Sequence, residues 1–464
     1  MEPHDSTPFN AAVPVPPPRA AGIDAKTSAE HRRMIALFDG EYKYPPAESY
    51  LNKVLVKLAR ADERASEPYK VTILNSPIVN AFALPPGNLY VTRGLLALAN
   101  DASEVAAVMA HEIAHITAKH ALQREEEEKR AAVITEAASI VQSKEKSQEL
   151  EALAQRTIAS FSRQQELEAD QIGIRVAARA GYDPYGAARV LASLGRSAAL
   201  RSSLMGQYAT AGKPDILATH PSAPDRVAQA VNAARQIGAP GIGETDRASY
   251  LAAINGMTFG DDPAGGAIRG RRFVHGRLGF AFLAPEGFAL ENASQALLGI
   301  SSGGGEALRL DNVALPASTP LEAYIASGWI DGLNESTIES IQVNGMPAAI
   351  AAASAGEWKF RVAVIRFDPD RVYRLIFAAR ALTDDLKRRF QEAIDSFHHI
   401  SQDELNGVRP LHLAITTANA GDTSETLAKQ MAVPDRALDY FLLINGLARG
   451  DPLQRGEQYK IIAE

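Results

Sequence analysis

The residues best suited to chemistry in this chain are consecutive: His111-Glu112-Ile113-Ala114-His115. On a helix, imidazoles at i and i+4 stand one turn apart on one face, so both can reach a single tetrahedral zinc. Glu112 lies at the edge of that face, where a carboxylate can take a proton from a zinc-bound water. With 10 His in 464 residues, the H-E-x-x-H pattern arises by chance in about one chain in a hundred. The plain alternative is a surface helix with two unrelated histidines, and the neighbouring sequence has to decide.

That neighbourhood specifies a helix. Asp101-Ala102-Ser103-Glu104 is a capping-box-like start, and an Ala/Val/Met run without Gly or Pro follows. At about 100° per residue, Val105, Val108, Met109, Ile113 and Ile116 gather on one apolar arc. His111 and His115 fall beside it, flanked by Ala107, Ala114 and Ala118, small residues that let a further ligand approach. The metzincin spacing fails, because Ala118 and Ala121 stand where Gly and the third His are needed. His120 points about 140° away from His115 on the wheel and reads as a structural, partly buried histidine. The better third ligand lies downstream, between Ser162 and Asp170. There Glu166 and Asp170 are i and i+4, and Gly173 and Ala177 continue the stripe. Glu168 sits about 200° from Glu166 and faces elsewhere. The spacing therefore predicts one zinc per chain on His111, His115 and Glu166, with water in an open fourth position. Asp170 is expected to orient a ligating imidazole through its other nitrogen.

With H-E-I-A-H followed by E-x-E-A-D, the chain resembles zinc metallopeptidases of peptidase family M48, which includes HtpX-like and CAAX prenyl proteases. The segment Asn80 to Val91 is similar to the family's strand before the active helix, and Thr219-His220-Pro221 with Arg226 is similar to its later motif. The resemblance spans roughly residues 28 to 258 and likewise makes the glutamate of E-x-x-x-D the third zinc ligand. It implies a mainly helical gluzincin-type domain. His220 keeps three readings: a structural histidine, an oxyanion donor, or, by resemblance to soluble relatives with a mobile loop here, a plug on the zinc.

Composition narrows the class. A net charge of −7 without a Lys/Arg-rich block gives no reason to expect nucleic acid. No apolar stretch reaches the ~20 residues that a membrane helix requires, whereas the HtpX and prenyl protease members are integral membrane proteins. Residues 131–160 read instead as a soluble helical hairpin carrying Lys144, Glu145, Lys146, Glu149 and Glu151. The run Glu125 to Glu128 reads as a solvated helix face. Residues 1–25 form a Pro-rich, disordered tether without the basic start and apolar core of a signal peptide. The chain has no Cys, which excludes disulfides. The expected location is the periplasm or cell envelope, with a signal segment missing from this sequence; the alternative is the cytoplasm.

The expected fold is α+β: a peptidase domain over 26–258, an α/β sandwich over 266–403 and a small module over 408–464. Gly256 to Gly270 reads as a Gly-rich linker. In the sandwich, strands are expected at Phe273–Leu283 and Leu308–Leu315, and a helix at Leu321–Trp329. A hairpin is expected around Asn344-Gly345, with a second strand pair across Asp368-Pro369-Asp370. A closing helix runs from Thr383 to about Phe397. This order is loosely similar to PsbP-like domains, and His398-His399 reads as incidental. The last module resembles a LysM domain in βααβ order, with strands near Ile415–Ala420 and Leu453–Ile462 and helices at Ser424–Met431 and Leu438–Gly446. LysM domains typically bind N-acetylglucosamine-containing glycans, so peptidoglycan is a partner implied by that resemblance; Asp435 and Asp439 at the helix start weigh against it.

Together these features indicate a zinc-dependent endopeptidase acting on unfolded or misassembled envelope polypeptides, with Glu112 as general base. Extended substrate would be held along Asn80, Ala81, Phe82 and Ala83 by β-augmentation. The competing reading is a non-proteolytic, zinc-stabilised chaperone or peptidoglycan-binding adaptor. The intact Glu112 argues against it, because a structural zinc needs no base.

Overall fold

The computed structural model describes residues 25–63, 68–124, 126, 129, 163–205, 216, 220, 225–293, 296–433 and 436–464. The expected tether, apart from its last residue, and the 131–160 hairpin lie outside the described residues, as does all of the acidic run except Glu126.

The helix Ala102–Thr117 carries both motif histidines and starts where Asp101 accepts the backbone N–H of Glu104 at 3.1 Å. The Glu104 carboxylate accepts the N–H of Asn100 at 2.9 Å, so the return bond of the capping box is made one residue early. The apolar arc expected on this helix understates its surroundings. Residues 102–110 and 112–114 are buried on every face, because the Ala-rich sequence lets neighbours close in all round. It packs on the helices Pro45–Ala61 and Gly186–Met205 and on a small sheet.

That sheet has the order β1-β3-β2. β1 (Lys70–Leu74) pairs parallel with β3 (Asn88–Thr92), which pairs antiparallel with β2 (Ala81–Leu84). The single strand expected over Asn80 to Val91 is thus a hairpin. Pro85 and Pro86 cannot donate to a ladder, so the chain turns there. A Cβ on Gly87 would stand 2.6 Å from the Pro68 carbonyl oxygen, so only glycine fits the turn. β2 is an edge strand, and Phe82 stacks on Tyr90 beside Phe38.

A seven-stranded antiparallel sheet forms most of the second region. Its strands are β4 (Phe288–Asn292), β5 (Leu297–Ser301), β6 (Glu306–Ala314), β7 (Leu333–Val343), β8 (Met346–Ala355), β9 (Trp358–Asp368) and β10 (Arg371–Ala379). The β7–β8 turn has Asn344 and Gly345 at φ 48° and 81°, the left-handed pair that a tight hairpin requires. The helix Asp384–Asp395, capped by Thr383, and a smaller sheet cover one face. Phe273 to Leu283 is not one strand: Arg272–His275 and Phe280–Leu283 form a hairpin across Gly276–Gly279. His398 and His399 pair with Ala281 and Phe280 as a short edge strand, so they are part of the sheet. The helix expected over Leu321–Trp329 stops at Ile325, and Trp329 donates to the Tyr324 carbonyl.

The Gly-rich segment is held in place. Residues 256–259 pair with 411–413, and buried Arg93 donates to the carbonyls of Thr258 and Gly260 at 2.9 and 3.0 Å. Ala267–Arg269, inside the expected linker, is already a strand. The C-terminal module has the βααβ order His412–Thr417, Ser424–Ala428, Ala437–Ile444 and Gln458–Ala463. It is docked through Lys460, wholly buried, whose Nζ donates to the carbonyls of Ala97 (2.8 Å) and Ala99 (2.5 Å). Those residues end the helix Arg93–Leu98, just before the start of Ala102–Thr117.

Candidate metal centre

Four side chains from three segments converge. His111 and His115 come from Ala102–Thr117, Glu166 from the helix at 163–179, and His220 from the stretch before the helix Asp225–Ile237. One donor atom from each lies within 4.8 Å of the others. The Nε2 atoms of His111 and His115 stand 3.0 Å apart. His111 Nε2 is 3.4 Å from Glu166 Oε2, and His115 Nε2 is 3.5 Å from Glu166 Oε1. His220 Nδ1 lies 3.4 Å from His111 Nε2 and 2.9 Å from Glu166 Oε1. A tetrahedron with metal–ligand bonds of about 2.05 Å has edges of about 3.3 Å. The spacing and the N₃O donor set therefore fit a zinc ion.

The glutamate helix reaches this position because it crosses the histidine helix at Gly173, where a Cβ would meet His111 N at 2.9 Å. Asp170, one turn after Glu166, lies 2.9 Å from His111 Nδ1. It is gripped by Arg226, whose Nε and Nη2 both donate at 2.8 Å. Arg226 Nη1 is also 3.3 Å from Glu166 Oε2. No periodicity within one element links residues 170 and 226, and the role of Arg226 was not legible in the sequence. Its one signal in the sequence was its place after Thr219-His220-Pro221, in the stretch that resembles the family's later motif.

His120 departs from the wheel. The helix ends at Thr117, Lys119 takes φ 56°, and the chain doubles back. His120 Nδ1 then lies 3.0 Å from His115 Nδ1, while its Nε2 faces Glu168 at 3.6 Å. His120 is fully buried and steadies His115 from behind, as Asp170 does for His111. Glu168 faces away from the four-residue cluster. Gln165 donates to the His120 carbonyl at 2.8 Å and ties the two helices together.

The electrostatics are those of a buried charged cluster. Burial would raise Glu166, but its bonds with His111 and His220 hold it well below the carboxylate range. Burial, with His111 and His220 beside it, drives His115 down so that its imidazole is neutral. Burial opposes charge on His111 too, yet Asp170 and Glu166 carry it up to about 10. Desolvation raises Glu112, against the pull of His220 and His111. Glu112 is 3% exposed, and its Oε1 has no hydrogen-bond partner and lies 3.5 Å from His220 Nε2. A buried, unbonded carboxylate oxygen beside the cluster is a group positioned to exchange protons.

Among the expected substrate-strand residues, Asn80 cannot pair with a peptide. Its N–H donates to Thr92 Oγ1 and its carbonyl accepts the Thr92 N–H, both at 3.0 Å. Ala81, Phe82 and Ala83 lie on the edge strand, with Leu84 after them.

Residues 45–234 match the sequence model of Peptidase family M48. The "Beta-barrel assembly-enhancing protease" of Escherichia coli (strain K12) is 32% identical over 218 residues, covering 45% of this chain and 43% of that protein. The "Mitochondrial metalloendopeptidase OMA1" of Arabidopsis thaliana is 35% identical over 158 residues, 34% of this chain and 30% of that protein. The chain thus spans less than half the length of these relatives. Among solved structures, cyanobacterial PsbP (CyanoP) from Synechocystis sp. PCC 6803 aligns with 28% of this chain and 91% of that one, at 14% identity and a TM-score of 0.23. Among the described residues no helix is long and apolar enough to cross a membrane.

Proposed function

Residues 45–234 form a domain of peptidase family M48, and on that premise we propose that the chain is a zinc-dependent endopeptidase. His111, His115 and Glu166 would hold the metal, with Asp170 and His120 fixing the two imidazoles. When bound, zinc would polarise the scissile carbonyl and acidify a water. Glu112 is the proton carrier: desolvation raises its proton affinity, and its Oε1, without a hydrogen-bond partner, faces the cluster 3.5 Å from His220 Nε2. It accepts the proton of the attacking water and delivers it to the leaving amine. The edge strand Ala81–Leu84 supplies main-chain bonds to an extended substrate. Recognition of this kind suits unfolded polypeptides. The name of the Escherichia coli relative ties that protein to β-barrel assembly, and we carry over from it envelope polypeptides as substrate and the cell envelope as location.

The observation that supports this reading most directly is the buried, unbonded Glu112 oxygen beside a four-donor cluster. Glu112→Gln keeps the shape and removes the base. Zinc should stay, while cleavage of an unfolded polypeptide falls by at least ~10²-fold. Cleavage at the parent rate would remove Glu112 from this role.

For His220 we propose the plug. Its Nδ1 occupies the fourth corner of the cluster, and its Nε2 faces Glu112, so in this arrangement it excludes a water from the place where the base would use it. His220→Ala should therefore raise turnover at saturating zinc. A loss of roughly 10²-fold would instead mark an oxyanion donor, and unchanged turnover a structural residue.

A further inference from the structure

We infer that the cavity where the peptidase domain, the sandwich and the C-terminal module meet binds an apolar stretch of the polypeptide substrate. The inference rests on the endopeptidase reading and extends it to a second binding site.

The cavity has a volume of about 450 Å³, and its walls include Val79, Ile216, Leu204, Phe259, Leu290 and Tyr440. Pockets of ~300–1,000 Å³ with mainly apolar walls at module junctions are the usual form of binding sites. The occupant's chemistry follows from what the walls lack. The three arginines that line it are engaged within the protein. Arg201 is paired with Glu291 at 2.6 Å, Arg436 with Asp439 at 2.8 Å, and Arg269 donates to the Arg409 carbonyl at 2.7 Å. What remains for a ligand is mainly apolar surface, which favours Leu, Val or Phe side chains over a charged group.

Position identifies the occupant as substrate. Pro77, Ile78 and Val79 line the cavity and run directly into the edge strand Ala81–Leu84. An extended peptide advances about 3.3 Å per residue, so one lying on that strand reaches the cavity within a few residues. Beside them on the same wall, the Ile216 N–H donates to the Val79 carbonyl at 2.9 Å, and the Ile216 carbonyl accepts the His220 N–H at 2.7 Å. The cavity therefore borders both the segment that leads into the substrate strand and the residue that anchors His220. A folded protein presents few free apolar stretches, whereas an unfolded one presents many, so the site would select substrates by their folding state.

The test uses the full chain carrying Glu112→Gln, so that binding is read without hydrolysis. Two fluorescein-labelled 14-residue peptides (~14 residues, longer than one strand) serve as probes, one alternating Leu and Thr, the other Ser, Thr and Gly only. Fluorescence anisotropy should show binding of the first and not the second. Ala198→Trp, which places an indole in the cavity wall, should weaken the Leu/Thr peptide by about tenfold or more, the equivalent of one buried Leu-sized side chain, while zinc content is retained. A diazirine-bearing leucine in the same peptide should cross-link to cavity residues on mass-spectrometric mapping, in the parent as well, so the test survives if Ala198→Trp does not fold. Equal affinity in parent and variant, or cross-links that map outside the cavity, would overturn the inference. If the protein without Glu112→Gln cleaves nothing, the endopeptidase reading falls while the binding and cross-linking results still stand.

Discussion

Gly173→Ala is a sensitive probe of how the two metal helices are held. A methyl at residue 173 would lie 2.9 Å from His111 N and 3.1 Å from both Ala110 C and His111 Cα. These are backbone atoms of a buried helix and cannot rotate aside. Relief to an ordinary separation of about 3.5 Å requires the helices to part by roughly 0.5 Å. Ligand distances in metal sites hold to within about 0.2 Å, and Glu166 lies on one helix while His111 and His115 lie on the other. The helix itself gains about 1 kcal/mol from the substitution, but overpacking costs about 1–3 kcal/mol. The net expectation is a lower thermal midpoint and zinc affinity weakened by about tenfold or more, equivalent to at least ~1.4 kcal/mol. Gly195 is the matched control: it is helical, with no heavy atom within 4 Å of the added methyl, so Gly195→Ala should raise the midpoint and leave zinc unaffected. Zinc competition against a fluorescent chelator, with calorimetry on both variants, reads the two signs. If Gly173→Ala bound zinc within about twofold of the parent, a difference of only ~0.4 kcal/mol, the close helix crossing would not be what sets the ligand spacing.

Glu166→Ala should lose zinc on metal analysis while Glu168→Ala retains it; the reverse pattern would reassign the ligand. Lys460→Met strips the buried donor from the Ala97 and Ala99 carbonyls, and should cost about 1–3 kcal/mol. Thermal unfolding and proteolysis of the C-terminal module check it, and a variant as stable as the parent would show that the docking does not depend on this lysine. His275 is lowered to about 4 by burial and by Arg277, so the unfolded chain takes up the proton first as pH falls. The sandwich should be most stable above about pH 6.5, lose stability between about 6.5 and 4, and level off below. Both tryptophans, Trp329 and Trp358, lie in this region, so their fluorescence follows its unfolding. His275→Gln should flatten the slope, and an unchanged slope would assign it to other groups.

Spacing within one helix was the informative part of the sequence. His111 with His115, and Glu166 with Asp170, are i and i+4 pairs, and Gly173 lies on the same face. A repeat of 3.6 residues places such groups on one side whatever surrounds them. The Asn344-Gly345 turn and the strand pair around Pro369 were legible for the same local reason: a tight hairpin selects its own residues. The wheel failed at His120 because it holds only while the helix continues, and the left-handed Lys119 ends that continuity. Pro85-Pro86 was itself a legible break in the ladder, and the hairpin lies on either side of it.

By itself, then, the sequence determined which residue types face together within each element, and so the chemistry open to them. Tertiary structure alone decided which faces meet. It set His120 behind His115 and brought Arg226 onto Asp170 and Glu166. It also buried Lys460 under the start of the histidine helix and left a cavity between three modules. The physical reason is range. Helical and hairpin geometry is set by neighbours a few residues apart, whereas a contact between residues 170 and 226, or 97 and 460, depends on how whole surfaces pack, and no short spacing in the chain records that.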